Sequence, residues 1–307
     1  MTSQDVGDAG EFGAGGHGGA SRGDTVADAV RALETAYPPE LALSWDRVGL
    51  VCGDPVEQLR RVLVCVDPVE STVDEAIELG AQLLVAHHPL LLRGVHGVPA
   101  NTPKGRIVHR LVRAGVALYC AHTNADSANP GVSDALAEAL GLTVRGPLSP
   151  HETSQDPAVG IGRICELPTP EPFSAFLGRV ATALPATEPG VRGAGDPNRL
   201  LRTVAVSGGA GDSLLGAAVE SGVDAFVTAD LRHHPAIEHL ELATVGSATV
   251  PALVDVAHWA SEWPWCAQAA GVLRTALRGT VDVLVSTRRT DPWTVQAAGA
   301  RTGRLSG

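Results

Sequence analysis

The chain has 307 residues, 44% of them hydrophobic, which is enough for one large globular domain or two modest ones. Lys and Arg number 23 against 34 Asp and Glu, and the formal net charge of -11 excludes a broad basic surface for nucleic acid or anionic lipid. Five cysteines without a CxxC pair exclude a disulfide framework and a cysteine zinc cluster, no apolar run nears the roughly 20 residues of a membrane span, and no basic flank leads into an apolar stretch at the N-terminus, so a soluble cytoplasmic protein is expected.

Residues 1–24, rich in Gly, Asp and Ser, read as a disordered extension. Val26, Val30, Leu33 and Ala36 then recur at helical spacing behind a possible cap at Asp24, and Pro38-Pro39 ends the run. RRVLVCVD (60–67) reads as a buried strand, STVDEAIELG (71–80) as a helix begun by Ser71 and closed by Gly80, and AQLLVAHH (81–88) as a second strand. A helix at 104–115, a strand at 116–122 and a helix at 133–141 continue the alternation, which predicts an α/β fold with mostly parallel sheets. Between 145 and 199 the chain is dense in Pro and Gly with one helix at 172–184, so 146–200 is expected to connect an N-terminal lobe (25–145) to a C-terminal lobe (201–293), with 294–307 a tail. The second lobe opens strand, helix, strand, and DAFVTADLRHHP (224–235) echoes AQLLVAHHP (81–89), a weak internal repeat suggesting two related lobes.

Three strand ends present metal-ligating side chains. His87 and His88 follow the strand at 81–88; adjacent strand residues face opposite ways, so they serve one ion only if the chain bends, and otherwise face two. His122 and Asp126 follow the strand at 116–122. His258 and Glu262 follow a strand-like run, four residues apart, as one helical face requires; Pro264 makes a strand-to-helix corner an equal alternative. Open α/β sheets gather ligands at the carboxyl ends of their strands, and imidazole with carboxylate but no thiolate suits zinc, manganese or ferrous iron. SGGAGDS (207–213) lacks the spacing of a phosphate or dinucleotide loop and reads as a tight packing turn. Asp230, His233 and His234 read as supporting groups or loop polarity, and Arg93, Lys104, Arg163 and Arg232 as solvated surface charges.

In WDRVGLVCGDP (45–55), AHHPLL, HTNAD followed by GVSDALAEALGL, VAVSGGAG, DAFVTADLRHHPA and VAHWASE, the chain resembles the YbgI/YqfO or Nif3-like family, known as GTP cyclohydrolase type 2 homologues, from about Thr25 to Trp293. The resemblance implies a two-lobed α/β unit in a ring-shaped homohexamer. It also implies two divalent ions (zinc, manganese or iron) on His87, His88, Asp126, His258 and Glu262, with the two neighbouring histidines on different ions. It carries no nucleic-acid module, and with no inserted domain between the lobes this chain would be a short form. Arg47 stands where the family usually has Asn, and Ala229-Asp230 and His234-Pro235 replace its usual Gly-Asp and His-Asp. The implied activity is that of a two-metal hydrolase acting on a nucleotide-like or amide substrate, Glu262 bridging the ions and His122 shuttling a proton. The rival is a non-catalytic metal protein, a store, insertion factor or scaffold, built on the same ligands.

Overall fold

The computed structural model describes residues 23–245 and 250–297, so all of the expected extension but Gly23 and Asp24, and the tail beyond Ala297, lie outside the described residues. Helix α1 (Val26–Ala36) is capped by Thr25 rather than Asp24: Thr25 Oγ1 accepts from the Asp28 N–H and the Thr25 N–H donates to Asp28 Oδ2, a capping box. Asp24 instead accepts the Arg278 N–H at 2.7 Å. Strand β1 (Gly49–Cys52), not anticipated, precedes β2 (Arg61–Cys65), helix α2 (Glu70–Glu78) and β3 (Leu83–Ala86). Helix α2 begins before Ser71, its N-terminus tied by the Val69 N–H to Thr72 Oγ1, and Gly80 takes the expected left-handed turn after it. Then come α3 (Pro103–Ala114), β4 (Ala117–Cys120), the short α4 (Thr123–Ser127) and α5 (Val132–Ala139).

The stretch read as a connector holds sheet strands. Strands β5 (Thr143–Pro150) and β6 (Gly160–Pro172), helix α6 (Phe173–Ala183) and β7 (Arg192–Ala194) all fall in or overlap it. Its prolines masked the strands, yet they sit where prolines are tolerated: Pro147 on an edge strand, Pro168 and Pro170 in the irregular stretch between Glu166 and Glu171. Strand β8 (Leu200–Ala210), α7 (Leu215–Glu220), β9 (Ala225–Ala229), α8 (His233–Val245), β10 (Ala252–Val256), α9 (His258–Ala276) and β11 (Asp282–Val285) complete the chain.

Two sheets result, ordered β1-β4-β3-β2-β11 and β5-β6-β8-β9-β10-β7. Strands β4, β3, β2 and β11 run parallel in the first, as do β8, β9 and β10 in the second, with antiparallel strands outside them. No inserted domain separates the two. Period-two alternation assigns the faces: Val62, Val64, Leu83 and Val85 enter the main core shared by both sheets, while Leu63, Cys65, Leu84 and Ala86 face a second core under α2 and α3. The main core holds α1, α5 and α9 between the sheets, with Trp265 fully buried and 5.8 Å from the Tyr37 ring. No helix among the described residues is long and apolar enough to cross a membrane.

Arg163, expected at the surface, is 1% exposed. It pairs with Asp134 of α5 at 2.7 Å and donates to the carbonyls of Gly160, Gly162 and Ala128, joining β6 to the end of α4. Removing one partner of such a pair strands a buried charge. Asp134→Ala is therefore expected to cost about 3–5 kcal/mol, read as a lower midpoint in urea unfolding.

Candidate metal centre

The carboxyl ends of β2, β3, β4 and β10 converge, and each delivers a polar side chain. After Ala86 the chain leaves the strand: the N–H groups of both His87 and His88 donate to Val66 O, at 3.1 and 2.9 Å. This bend overrides strand alternation. His87 Nε2 lies 3.4 Å from Glu262 Oε1, and His88 Nε2 lies 3.1 Å from Glu262 Oε2.

Helix α9 begins at His258 and runs through Pro264, so the four-residue spacing does place His258 and Glu262 on one face, with His258 Nε2 3.0 Å from Glu262 Oε1. The only amide hydrogen bond that Pro264 forfeits is the one to the Ala260 carbonyl in the first turns. Asp126, on α4, brings Oδ1 to 3.7 Å from His87 Nε2. His122 stacks edge-on against His87 and His88, ring centroids 5.3 and 5.6 Å away. All six predicted side chains thus meet. Two groups of ligating atoms lie within 4.8 Å of one another, His87 with His88 and His122, and His88 with His258 and Glu262.

Each imidazole is held by its Nδ1. His87 Nδ1 contacts the Ala121 carbonyl at 2.8 Å, His88 Nδ1 contacts Asp67 at 2.7 Å, His122 Nδ1 contacts Asp46 at 2.9 Å and His258 Nδ1 contacts Asp230 at 2.7 Å. An acceptor at Nδ1 fixes the proton there and leaves Nε2 as a lone pair, the arrangement of metal-ligating histidines. Those lone pairs face one another: His88 Nε2 and His258 Nε2 stand 3.2 Å apart. Buried His87 Nε2 and Glu262 Oε2 have no hydrogen-bond partner. Acceptors crowded around acceptors call for a cation, and the all-nitrogen-and-oxygen set fits zinc, manganese or iron.

Without a cation, protons must serve. Burial opposes the charged form of His88, yet the Glu262 carboxylate and Asp67 outweigh it and lift its pKa to about 11; burial, Glu262 and Asp230 act likewise on His258, lifting it to about 10. Burial pushes Glu262 up, and the three imidazoles beside it overcome that and hold it well below the usual range. Asp126 moves the other way, burial raising it against the pull of His87 and His122.

Asp46, Asp67 and Asp230 escaped the sequence reading as imidazole partners, Asp230 having been placed only loosely. The available signal was position: Asp67 and Asp230 follow β2 and β9 as the histidines follow their own strands. Asp46 also accepts the N–H and hydroxyl of Thr123, which fixes the turn carrying His122. The Gly-rich turn is a close approach: at Gly209 (φ +69°) a Cβ would lie 2.5 Å from Glu262 Oε1, and its N–H donates to Ser261 Oγ at 2.9 Å. His233 and His234 are exposed on α8 and belong to neither group of ligating atoms among the described residues.

The chain matches Duf34/NIF3 (NGG1p interacting factor 3) over residues 24–292. It belongs to the NIF3 family. It is 51% identical to a GTP cyclohydrolase 1 type 2 homolog of Streptomyces coelicolor over 288 residues, covering 92% of this chain and 98% of the relative. A Mycobacterium tuberculosis protein of the same name is 41% identical over 372 residues, with 87% and 96% covered. Among solved structures, a Bacillus cereus protein related to NIF3 superposes with TM-score 0.80 at 23% identity over 89% of this chain and 99% of that one. A hypothetical Staphylococcus aureus protein gives 0.76 at 27% identity, with the same coverage.

Because the metal-free pKa values of His88 and His258 lie above the 6.5 of a free imidazole, their protonation stabilises the metal-free fold fully below about 6.5, and that contribution fades as pH rises toward about 10 and 11. Chelator-treated NIF3 protein is expected to lose Tm steadily across this window, while metal-loaded protein stays level. Gly209→Ala, strained by about 1–2 kcal/mol at its positive φ and pressing on Glu262, is expected to lower metal occupancy measured by elemental analysis.

Proposed function

We propose that this NIF3 protein is a two-metal hydrolase, holding two divalent ions on His87, His88, Asp126, His258 and Glu262 and acting on a nucleotide-like or amide substrate. The observation that carries the reading is the set of imidazoles pinned at Nδ1 with their Nε2 atoms gathered about one buried carboxylate. A pair of bound divalent ions supplies Lewis acidity to the substrate and lowers the pKa of water. Glu262, with oxygens 3.0–3.4 Å from His87, His88 and His258, would help to hold the ions. His122, oriented by Asp46 and partly open to solvent, is placed to carry a proton at Nε2. A cavity of about 810 Å³ opens beside His88 and His258, room for a substrate that a closed storage site would not need. The resemblance further supports a ring-shaped homohexamer, which light scattering on the purified chain tests directly.

Untagged protein is expected to carry close to two ions per chain by elemental analysis, and His88→Ala to lose at least one. Protein reloaded with zinc, manganese or iron is expected to turn over a member of a panel of nucleotides and cyclic amides, with His88→Ala inactive. Full occupancy without turnover would favour the non-catalytic metal protein.

A further inference from the structure

Two imidazoles of the cluster share one pattern of support. His122 Nδ1 meets Asp46 Oδ1 at 2.9 Å while Asp46 Oδ2 accepts the Thr123 hydroxyl, and His88 Nδ1 meets Asp67 Oδ1 at 2.7 Å while Asp67 Oδ2 accepts the Thr290 hydroxyl. In each, a threonine holds one carboxylate oxygen and an imidazole the other. Thr123 directly follows His122, so that support is local. Thr290 lies 223 residues from Asp67, and only the fold brings the two together.

It does so through neighbouring strands. Strands β2 and β11 run parallel, Val64 opposite Val285, and the pairing continues past β11 with the Ser286 N–H donating to Val64 O at 2.8 Å. Asp67 and Thr290 thus follow the carboxyl ends of adjacent strands. The segment that carries Thr290 is anchored to both α2 and α9. Ser286 Oγ donates to Glu75 at 2.6 Å, Arg288 donates to the Ser71 carbonyl and to Glu78 at 2.8 Å each, and the Trp263 indole N–H donates to the Ser286 carbonyl at 3.0 Å.

The second hydrogen bond changes what the carboxylate can do. The terminal torsion of an aspartate is broad, so a single hydrogen bond leaves the carboxylate free to turn, and a donor on its other oxygen sets its plane. His87 needs no such donor, because a backbone carbonyl holds its Nδ1. Asp230, which holds His258, has no hydrogen-bond partner on its other oxygen among the described residues, and its side chain is 57% exposed. Apart from His88, Thr290 is the single hydrogen-bond partner of the Asp67 carboxylate among the described residues.

We propose that Thr290 is a positioning residue of the metal centre: it sets the plane of Asp67 and, through it, the direction in which His88 presents Nε2. The inference rests on the metal-binding part of the proposed function, in taking that nitrogen as a ligand. Fixing the partner of an imidazole raises ion affinity by removing orientations in which the ring cannot bind. A threonine that merely tied down the chain after β11 would matter to the ions no more than Arg288, which anchors the same segment to α2 without touching Asp67.

The test uses full-length protein and two measurements: zinc affinity by calorimetry in competition with a chelator, and the proton NMR resonance of the His88 Nδ1–H in chelator-treated protein, assigned by its absence from His88→Ala. Thr290→Val and Thr290→Ala, both without the hydroxyl, are expected to weaken zinc binding about tenfold, and Thr290→Ser to return it to within about threefold of wild type. Arg288→Ala is expected to lower Tm and to leave zinc affinity within about threefold of wild type. The Nδ1–H resonance is expected in wild type, Thr290→Ser and Arg288→Ala, and to be broadened away by exchange with water in Thr290→Val and Thr290→Ala. Loss of the hydroxyl without loss of zinc affinity, a serine variant that restores nothing, or an Arg288→Ala protein weakened as much as Thr290→Val overturns the inference. Wild-type protein that binds no zinc overturns the metal reading instead, and the resonance then decides whether Thr290 places Asp67 against His88.

Discussion

A buried carboxylate faced by three imidazole nitrogens is the interaction on which the site depends. Glu262 is 3% exposed, and in water-poor surroundings its charge is tolerable only with partners. Its partners come from the end of β3 and from α9 itself, elements far apart in the sequence. That carboxylate can sit there because Gly209 has no side chain to occupy the space, and because Ser261, its neighbour on α9, receives the Gly209 N–H. Glu262 thus couples the glycine turn of one sheet to the histidine bend of the other, and the geometry is as rigid as the core behind it.

The acceptors behind the imidazoles set what the cluster can hold. Three of the four are aspartates, and Asp46 is itself held well below the usual carboxylate range: burial works against it, and the hydrogen bonds from His122 and Thr123 prevail. Such charged acceptors raise the basicity of the opposite ring nitrogen and fix the ring's orientation, which favours a metal over a hydrogen-bonded water. The four free Nε2 atoms and two carboxylates provide more donors than one tetrahedral ion uses.

Much of this was legible in the sequence because it is local. A strand followed at once by His87-His88, a strand followed by His122 and Asp126, and His258 with Glu262 at helical spacing can each be read within a dozen residues, and their common place at strand ends brings them together. Asp67, Asp46 and Asp230 were not legible as imidazole partners, since each lies 21 to 76 residues from its histidine and nothing local distinguishes it from a surface aspartate. The bend after Ala86 was likewise a tertiary choice, made by backbone hydrogen bonds to Val66 rather than by any turn residue. Strands β5 and β6 were hidden by prolines that the sheet accommodates at its edge and irregularities. Arg163 was misread because a buried arginine looks no different in sequence from a solvated one.

The return of β11 to the first sheet has a mechanical meaning. Helix α9 lies between the two sheets and carries two of the cluster's donors, and the strand that follows it is hydrogen-bonded to β2 of the first sheet. The polypeptide therefore returns to the first sheet after laying α9 against both, and swinging the sheets apart would strip this helix, and the donors it carries, from one of them. The shape of the cavity mouth beside His88 and His258 is thus tied to the packing of one helix.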